Sequence, residues 1–81
     1  MDMIEVFERL GEKWAVKPEI LKDIYLMLKH DVRFFSTRNG GGMRYKAMEN
    51  HIAKNYRIHT IGERQLRYLV ICLNECREKR K

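Results

Sequence analysis

The feature that most restricts the fold of this chain is an apolar stripe in its last third, because its members recur at the spacing of an α-helix. With about 100° of turn per residue, they fall on one side of a helix: Leu66, Leu69, Val70 and Leu73. Thr60, with Glu63 three residues later, has the form of a capping box that begins such a helix. The period predicts a helix near residues 60–78, which merges into a basic tail at residues 77–81.

Three further segments show the same helical period. Asp2 and Glu5 form a second capping-box pattern, which predicts a helix near residues 2–15. Pro18 suits the first position of a helix and predicts the next one near residues 18–30. The period returns near residues 44–55. A chain of 81 residues has room for one small core, so residues 1–81 are predicted to form a single all-α domain of four helices.

The helical period is lost between the second and third predicted helices, in a segment that ends in three glycines. Asn39 followed by glycine favours a turn with positive φ, and consecutive glycines resist fixation. Residues 36–43 are therefore predicted to form a flexible loop, with Phe34 or Phe35 packed onto the core. The alternative is a two-stranded hairpin, which on its own is marginal in water.

The net charge of +6 is concentrated in the later part of the chain. Twelve of the 17 Lys and Arg residues follow residue 30, against five of the 11 Asp and Glu residues. A one-sided basic field attracts polyanions, nucleic acid first, because neutralisation of phosphates releases counterions. A solvated basic surface that only keeps the protein in solution is the alternative interpretation.

The third and fourth predicted helices also carry a pattern of small, apolar and basic residues that spans a short turn. Its first part is Ile52-Ala53-x-x-Tyr56-x-Ile58, and its second part is Ile61-x-x-Arg64-x-Leu66-Arg67-x-Leu69-Val70. Over residues 45–74 this pattern resembles the second and third helices of the tri-helical and winged-helix DNA-binding domains of bacteria and phages. The resemblance implies a helix-turn-helix in which the fourth helix recognises DNA. No strand pair is predicted after that helix, so a wingless form fits best.

The face of the fourth helix that opposes the apolar stripe is the predicted contact surface for DNA. Arg64, Arg67 and Tyr68 point outward on that face, with Gln65 at its edge. Arginine binds guanine or phosphate through two nitrogen atoms, glutamine suits adenine, and a helix N-terminus attracts anions. Further phosphate contacts are predicted from basic residues of the loop, the third helix and the tail: Arg38, Arg44, Lys46, Lys79, Arg80 and Lys81. The leading hypothesis is a small regulatory or accessory protein of the bacterial or phage type that binds nucleic acid, with DNA favoured over RNA.

Ile71 does not suit a surface that only binds DNA, since it lies on the same outward face as the arginines. It is predicted to be covered, either by the N-terminal helix or loop of the same chain or by a second protein, including a second copy of the chain. The alternative function is a non-catalytic inhibitor or adaptor, for example a phage protein that acts on a host protein, with Tyr68, Ile71 and Leu26 as anchors. RNA binding is a further alternative if Tyr45, Tyr56 or Tyr68 is exposed for base stacking.

Catalysis, cofactors and metal ions have little support in the sequence. His30, His51 and His59 lack metal-ligand spacing, and no nucleophile stands at a recognisable spacing from a base. Cys72 and Cys76, four residues apart on one helix, cannot form a disulfide without breaking that helix. No membrane span or signal peptide is recognisable. The chain is therefore predicted to be a cytoplasmic protein that is not an enzyme and uses no metal or cofactor.

Overall fold

The computed structural model of the protein describes residues 2–36 and 42–79, and these residues form four α-helices. The helices are α1 (Met3–Trp14), α2 (Pro18–His30), α3 (Tyr45–Asn55) and α4 (Glu63–Lys79). α1 packs against α2 and α4, and α3 packs against the same two helices, so the four surround one hydrophobic core. The predicted all-α fold is confirmed. None of the helices in the described part of the chain is both long and apolar enough to cross a membrane.

The core is built from the apolar stripes that the sequence predicts. Eight side chains from the last three helices are fully buried: Leu21, Ile24, Leu28, Met48, Ile52, Leu66, Leu69 and Leu73. Val6, Phe7, Leu10 and Trp14 of α1 are also buried and belong to the same cluster. At about 1.5–3 kcal/mol for each large apolar side chain removed from water, this shared core holds the helices in register.

α1 has a cap at each end. The Asp2 carboxylate accepts the backbone N–H of Glu5 at 2.9 Å, which confirms the predicted helix start. At the other end Ala15 adopts the left-handed conformation, with φ 56° and ψ 46°. The backbone N–H of Val16 then donates to the carbonyl of Gly11 at 2.8 Å, as in a Schellman motif. This close return of the chain requires glycine, because a Cβ at Gly11 would lie 2.5 Å from the Val16 carbonyl oxygen.

α4 begins at Glu63, and the predicted capping box that starts at Thr60 is wrong. The Thr60 hydroxyl instead donates to the backbone carbonyl of Trp14 at 2.7 Å, so it ties the turn before α4 to the end of α1. The backbone N–H of Glu63 is capped from another helix, because the Glu49 carboxylate accepts it at 3.1 Å. The cap of α4 is thus a tertiary contact, which local sequence spacing could not show.

The segment between α2 and α3 has features of both predicted conformations, the loop and the hairpin. Phe34 is buried in the core, as the loop interpretation predicts. Its carbonyl accepts the backbone N–H of Arg44 at 2.8 Å, and Phe35 pairs with Met43 in an isolated antiparallel bridge. In the described residues the hairpin is limited to this single bridge. Most of the predicted flexible loop, residues 37–41, lies outside the described residues.

Candidate nucleic-acid interface

α4 has two faces of opposite character, as the sequence predicts. The buried face consists of Leu66, Leu69, Val70 and Leu73. On the opposite face the side chains of Arg64 and Arg67 are exposed, Tyr68 is 48% exposed and Ile71 is 55% exposed. The first turns of the outward face are therefore basic and aromatic, and the next turn is aliphatic.

The basic first turns of α4 meet the start of α3 through a cation–π contact. The guanidinium of Arg67 lies 4.9 Å from the centre of the Tyr45 ring, and its nearest carboxylate, that of Glu63, is 3.9 Å away. Tyr45 stands between Arg44 and Lys46 in the chain, so this contact brings the basic start of α3 beside the basic turns of α4. The α3–α4 surface, as we call it, consists of Arg44, Tyr45, Lys46, Arg64 and Arg67.

The cations of the α3–α4 surface remain open to solvent. The side chains of Lys46 and Arg67 are 68% and 62% exposed, and their ion pairs with Glu49 and Glu63 span 3.4 Å and 3.9 Å. Pairs this exposed contribute about 0–1 kcal/mol and are readily exchanged for a phosphate. Partial burial raises the pKa of Tyr45, and the nearby positive charge of Arg67 opposes that rise. The ring therefore stays neutral and keeps an electron-rich face toward the arginine.

The N-terminus of α4 does not provide the predicted anion site. The Glu49 carboxylate accepts the backbone N–H of Glu63 there, so a carboxylate of the same chain already occupies the position that a phosphate would take. The preceding backbone N–H, that of Gly62, donates to the side-chain oxygen of Gln65 at 2.9 Å. Gln65 is half-buried, and its oxygen, which adenine recognition would use, is engaged within the chain.

The structure describes only some of the remaining basic residues that were predicted to contact phosphate. Arg44 and Lys46 lie on the α3–α4 surface described above. Lys79 is the last residue of α4, and its side chain is not among those described. Arg38, Arg80 and Lys81 lie outside the described residues. The basic residues that the structure brings together are therefore those at the starts of α3 and α4.

Tyr68 lies on the other flank of α4, toward α1. The Lys13 ammonium lies 5.8 Å from the centre of its ring. A groove of about 290 Å³ separates the two helices at this point, and its lining includes Tyr68, Arg9 and Glu75. Contact with the Cys72 thiol is the main cause that raises the pKa of the Tyr68 phenol. Tyr68 therefore belongs to a second surface, formed with α1.

Sequence reasoning missed the two basic residues of α1 that reach this second surface. Arg9 and Lys13 stand in a helix whose first half is rich in glutamate, and the segment before residue 30 has no excess of positive charge. Their spacing of four residues puts them on one side of α1, but only the packing of α1 on α4 shows that this side faces Tyr68. No local signal in the sequence could have identified them.

The predicted cover of Ile71 by its own chain is wrong. At 55% exposure Ile71 is one of the most open apolar side chains of the described residues, and Tyr68, one turn earlier, is 48% exposed. Leu26 on α2 is 44% exposed, as its position on the polar side of that helix predicts. The other predicted cover of Ile71, a second protein, stays a prediction.

The thiols and histidines are dispersed in the structure. Cys72 is half-buried and Cys76 buried, and both are free thiols. His51 packs against the rings of Phe34 and Tyr56, at centroid distances of 5.1 Å and 6.1 Å. In residues 2–36 and 42–79, no three side chains of the His, Cys, Asp and Glu types come together as a metal site would require.

The chain matches no protein-family model, no curated protein and no solved structure. The resemblance of residues 45–74 to helix-turn-helix domains therefore stays a prediction.

Proposed function

We propose that the protein binds nucleic acid, duplex DNA in the first place, through the α3–α4 surface, and acts as a small regulatory or accessory factor. The observation that carries the proposal is the contact of Arg67 with Tyr45, which places the start of α3, with the exposed Arg44 and Lys46, beside the first turns of α4. Neutralisation of phosphates by such a surface releases counterions and supplies most of the affinity of a small basic domain.

In this proposal α4 and α3 make different contacts with the nucleic acid. The outward turns of α4 carry Arg64 and Arg67, which reach base edges or phosphates in a groove. Arg44 and Lys46, at the start of α3, contact the backbone beside that groove. Because Glu49 occupies the N-terminus of α4, the anion contacts come from side chains and not from the helix end.

A titration of labelled duplex DNA at low and moderate salt tests the proposal. The parent is compared with the Arg44→Ala/Arg67→Ala variant and with a matched control, Lys17→Ala/Lys22→Ala, which loses the same charge from exposed positions around the start of α2. We expect tight, salt-sensitive binding by the parent and the control. The arginine variant should bind more weakly, and its salt dependence should fall by about one phosphate contact for each residue removed.

Two results would refute the proposal. The first is the absence of duplex binding by the parent at low salt. The second is an equal loss of affinity in the arginine variant and the lysine control, since it would show that only net charge matters. The same titration with duplex RNA decides between the two nucleic acids, because an α-helix can enter the wide major groove of DNA but not the deep, narrow one of RNA.

A protein partner is the second candidate function, and the exposure of Ile71 is the observation that favours it. An isoleucine and a tyrosine on successive turns of one helix form an apolar ridge of the kind that protein interfaces bury. Light scattering on the parent and on Ile71→Glu tests for a homodimer. A dimer in the parent and a monomer in the variant support it, and a monomer in both excludes a second copy as the partner.

A further inference from the structure

The groove between α1 and α4 has the features of a site for one unpaired nucleotide. Its lining includes apolar groups at the base, Val6 and Leu10, and polar groups, Arg9 and Glu75. The half-exposed ring of Tyr68 stands at its rim. With a volume of about 290 Å³ the groove has room for a planar ring of the size of a nucleobase.

The basic residues around the groove are free to contact an anion outside the chain. Among the described residues, Arg9, Lys13 and Arg64 have no carboxylate within ion-pair distance. Lys13 and Arg64 both stand near Tyr68: the Lys13 ammonium lies 5.8 Å from its ring, and Arg64 is one turn away on α4. Three exposed cations around one exposed aromatic ring match a base with its phosphates, because the ring stacks on the base and the cations contact the backbone.

We infer that Tyr68 and the α1–α4 groove bind an unpaired base of a nucleic acid, with its phosphates on Lys13 and Arg64. The inference rests on the proposed function, since it extends the nucleic-acid contact of α4 from its α3 flank to its α1 flank. It also changes the role of Tyr68, which acts as a stacking platform and not as a reader of the duplex groove. Glu75 suits the exocyclic amino group of a base, which donates a hydrogen bond to a carboxylate.

Three labelled duplexes test the inference: one with blunt ends, one with a short single-stranded extension, and one whose extension lacks the bases but keeps the phosphates. The parent should bind the extended duplex about tenfold more tightly than the blunt one, since stacking of one base on an aromatic side chain contributes a factor of this order. Most of this gain should disappear with the abasic extension. Extensions of DNA and of RNA distinguish the two sources of the nucleotide.

Variants of Tyr68 separate stacking from other roles of the side chain. Tyr68→Phe keeps the ring and should keep the gain from the extension, whereas Tyr68→Ala should lose it. Lys13→Ala should weaken binding of both extended duplexes, with and without bases, because it removes a phosphate contact. Tyr68 and Lys13 are both exposed, and far-UV circular dichroism verifies that the variants remain folded.

The outcomes distinguish this inference from the proposed function. If the blunt duplex binds but the base-bearing and abasic extensions give equal affinity, the inference is overturned and the proposed function stands. An unchanged gain in Tyr68→Ala overturns the inference too, because the ring then contributes no stacking. If no duplex binds at low salt, the proposed function is refuted, and the inference that rests on it is refuted with it.

Discussion

The end of α1 provides the sharpest test of how the chain packs between α1 and α2, through the substitution Gly11→Ala. An added Cβ would lie 2.5 Å from the carbonyl oxygen of Val16 and 3.5 Å from the ring of Pro18. The oxygen belongs to the backbone, so it can move only if the chain between α1 and α2 shifts. That shift would weaken the hydrogen bond from Val16 to Gly11, now 2.8 Å long.

The expected change in the free energy of unfolding of Gly11→Ala is the sum of opposing effects. Alanine is better than glycine inside a helix by about 1 kcal/mol. Overpacking against a fixed neighbour costs about 1–3 kcal/mol, and the weakened hydrogen bond costs about 1 kcal/mol more. We expect Gly11→Ala to lower the free energy of unfolding by about 2 kcal/mol, which for a domain of this size lowers the Tm by roughly 8–16 °C.

Urea unfolding followed by far-UV circular dichroism and by Trp14 fluorescence measures this change, because Trp14 is buried three residues further along α1. The matched control is Gly62→Ala, whose Cβ would meet only side-chain atoms: the oxygen of Gln65 at 3.3 Å and a carboxylate oxygen of Glu49 at 3.6 Å. It should change the free energy of unfolding by less than about 1 kcal/mol. A Gly11→Ala variant as stable as the parent would show that the close approach of Val16 is not present in solution.

Three further predictions concern single side chains. Ala15→Gly should raise the free energy of unfolding by about 0.5–1 kcal/mol in the same assay, because Ala15 holds a left-handed conformation with φ 56°. Hydrogen bonds from the side chain and backbone of Arg33 lower the pKa of Asp31 from 3.8 to about 2. The stabilising effect of the Asp31 carboxylate is therefore complete above about pH 4 and is lost as the pH falls toward 2. In Asp31→Asn this part of the pH dependence should vanish from unfolding curves measured across that range. Glu49→Gln keeps an acceptor for the N–H of Glu63 but removes a negative charge, so it should strengthen duplex binding a few-fold in the titration.

The helices could be predicted because their burial is periodic. A residue such as Leu69 is apolar at a position that faces the core, and the period of 3.6 residues makes that visible in the chain. The same reasoning separated Arg64 and Arg67 from the core and placed them outward. These features depend on the geometry of one helix, which the sequence of that helix determines.

The features that the sequence could not show depend on contacts between distant parts of the chain. Thr60 has the spacing of a helix cap, but its hydroxyl bonds to Trp14, 46 residues away, and a residue of α3 caps α4 instead. The exposure of Ile71 depends on which side chains of α4 are covered by α1, and the sequence does not show this. Lys13 entered the candidate site only through the packing of α1 on α4. Each case needs the tertiary arrangement, since no local pattern distinguishes it.

The position of the contacts along α4 limits which ligands can bind together. Arg67 turns toward Tyr45 on α3, and Tyr68 turns toward Lys13 on α1 and lines, with Glu75, the groove proposed for the unpaired base. Ile71 is exposed, does not line that groove and offers no group that binds phosphate. A nucleic acid at these two contacts therefore leaves Ile71 free for a protein, and Ile71→Glu should disturb a protein contact more than it weakens duplex binding.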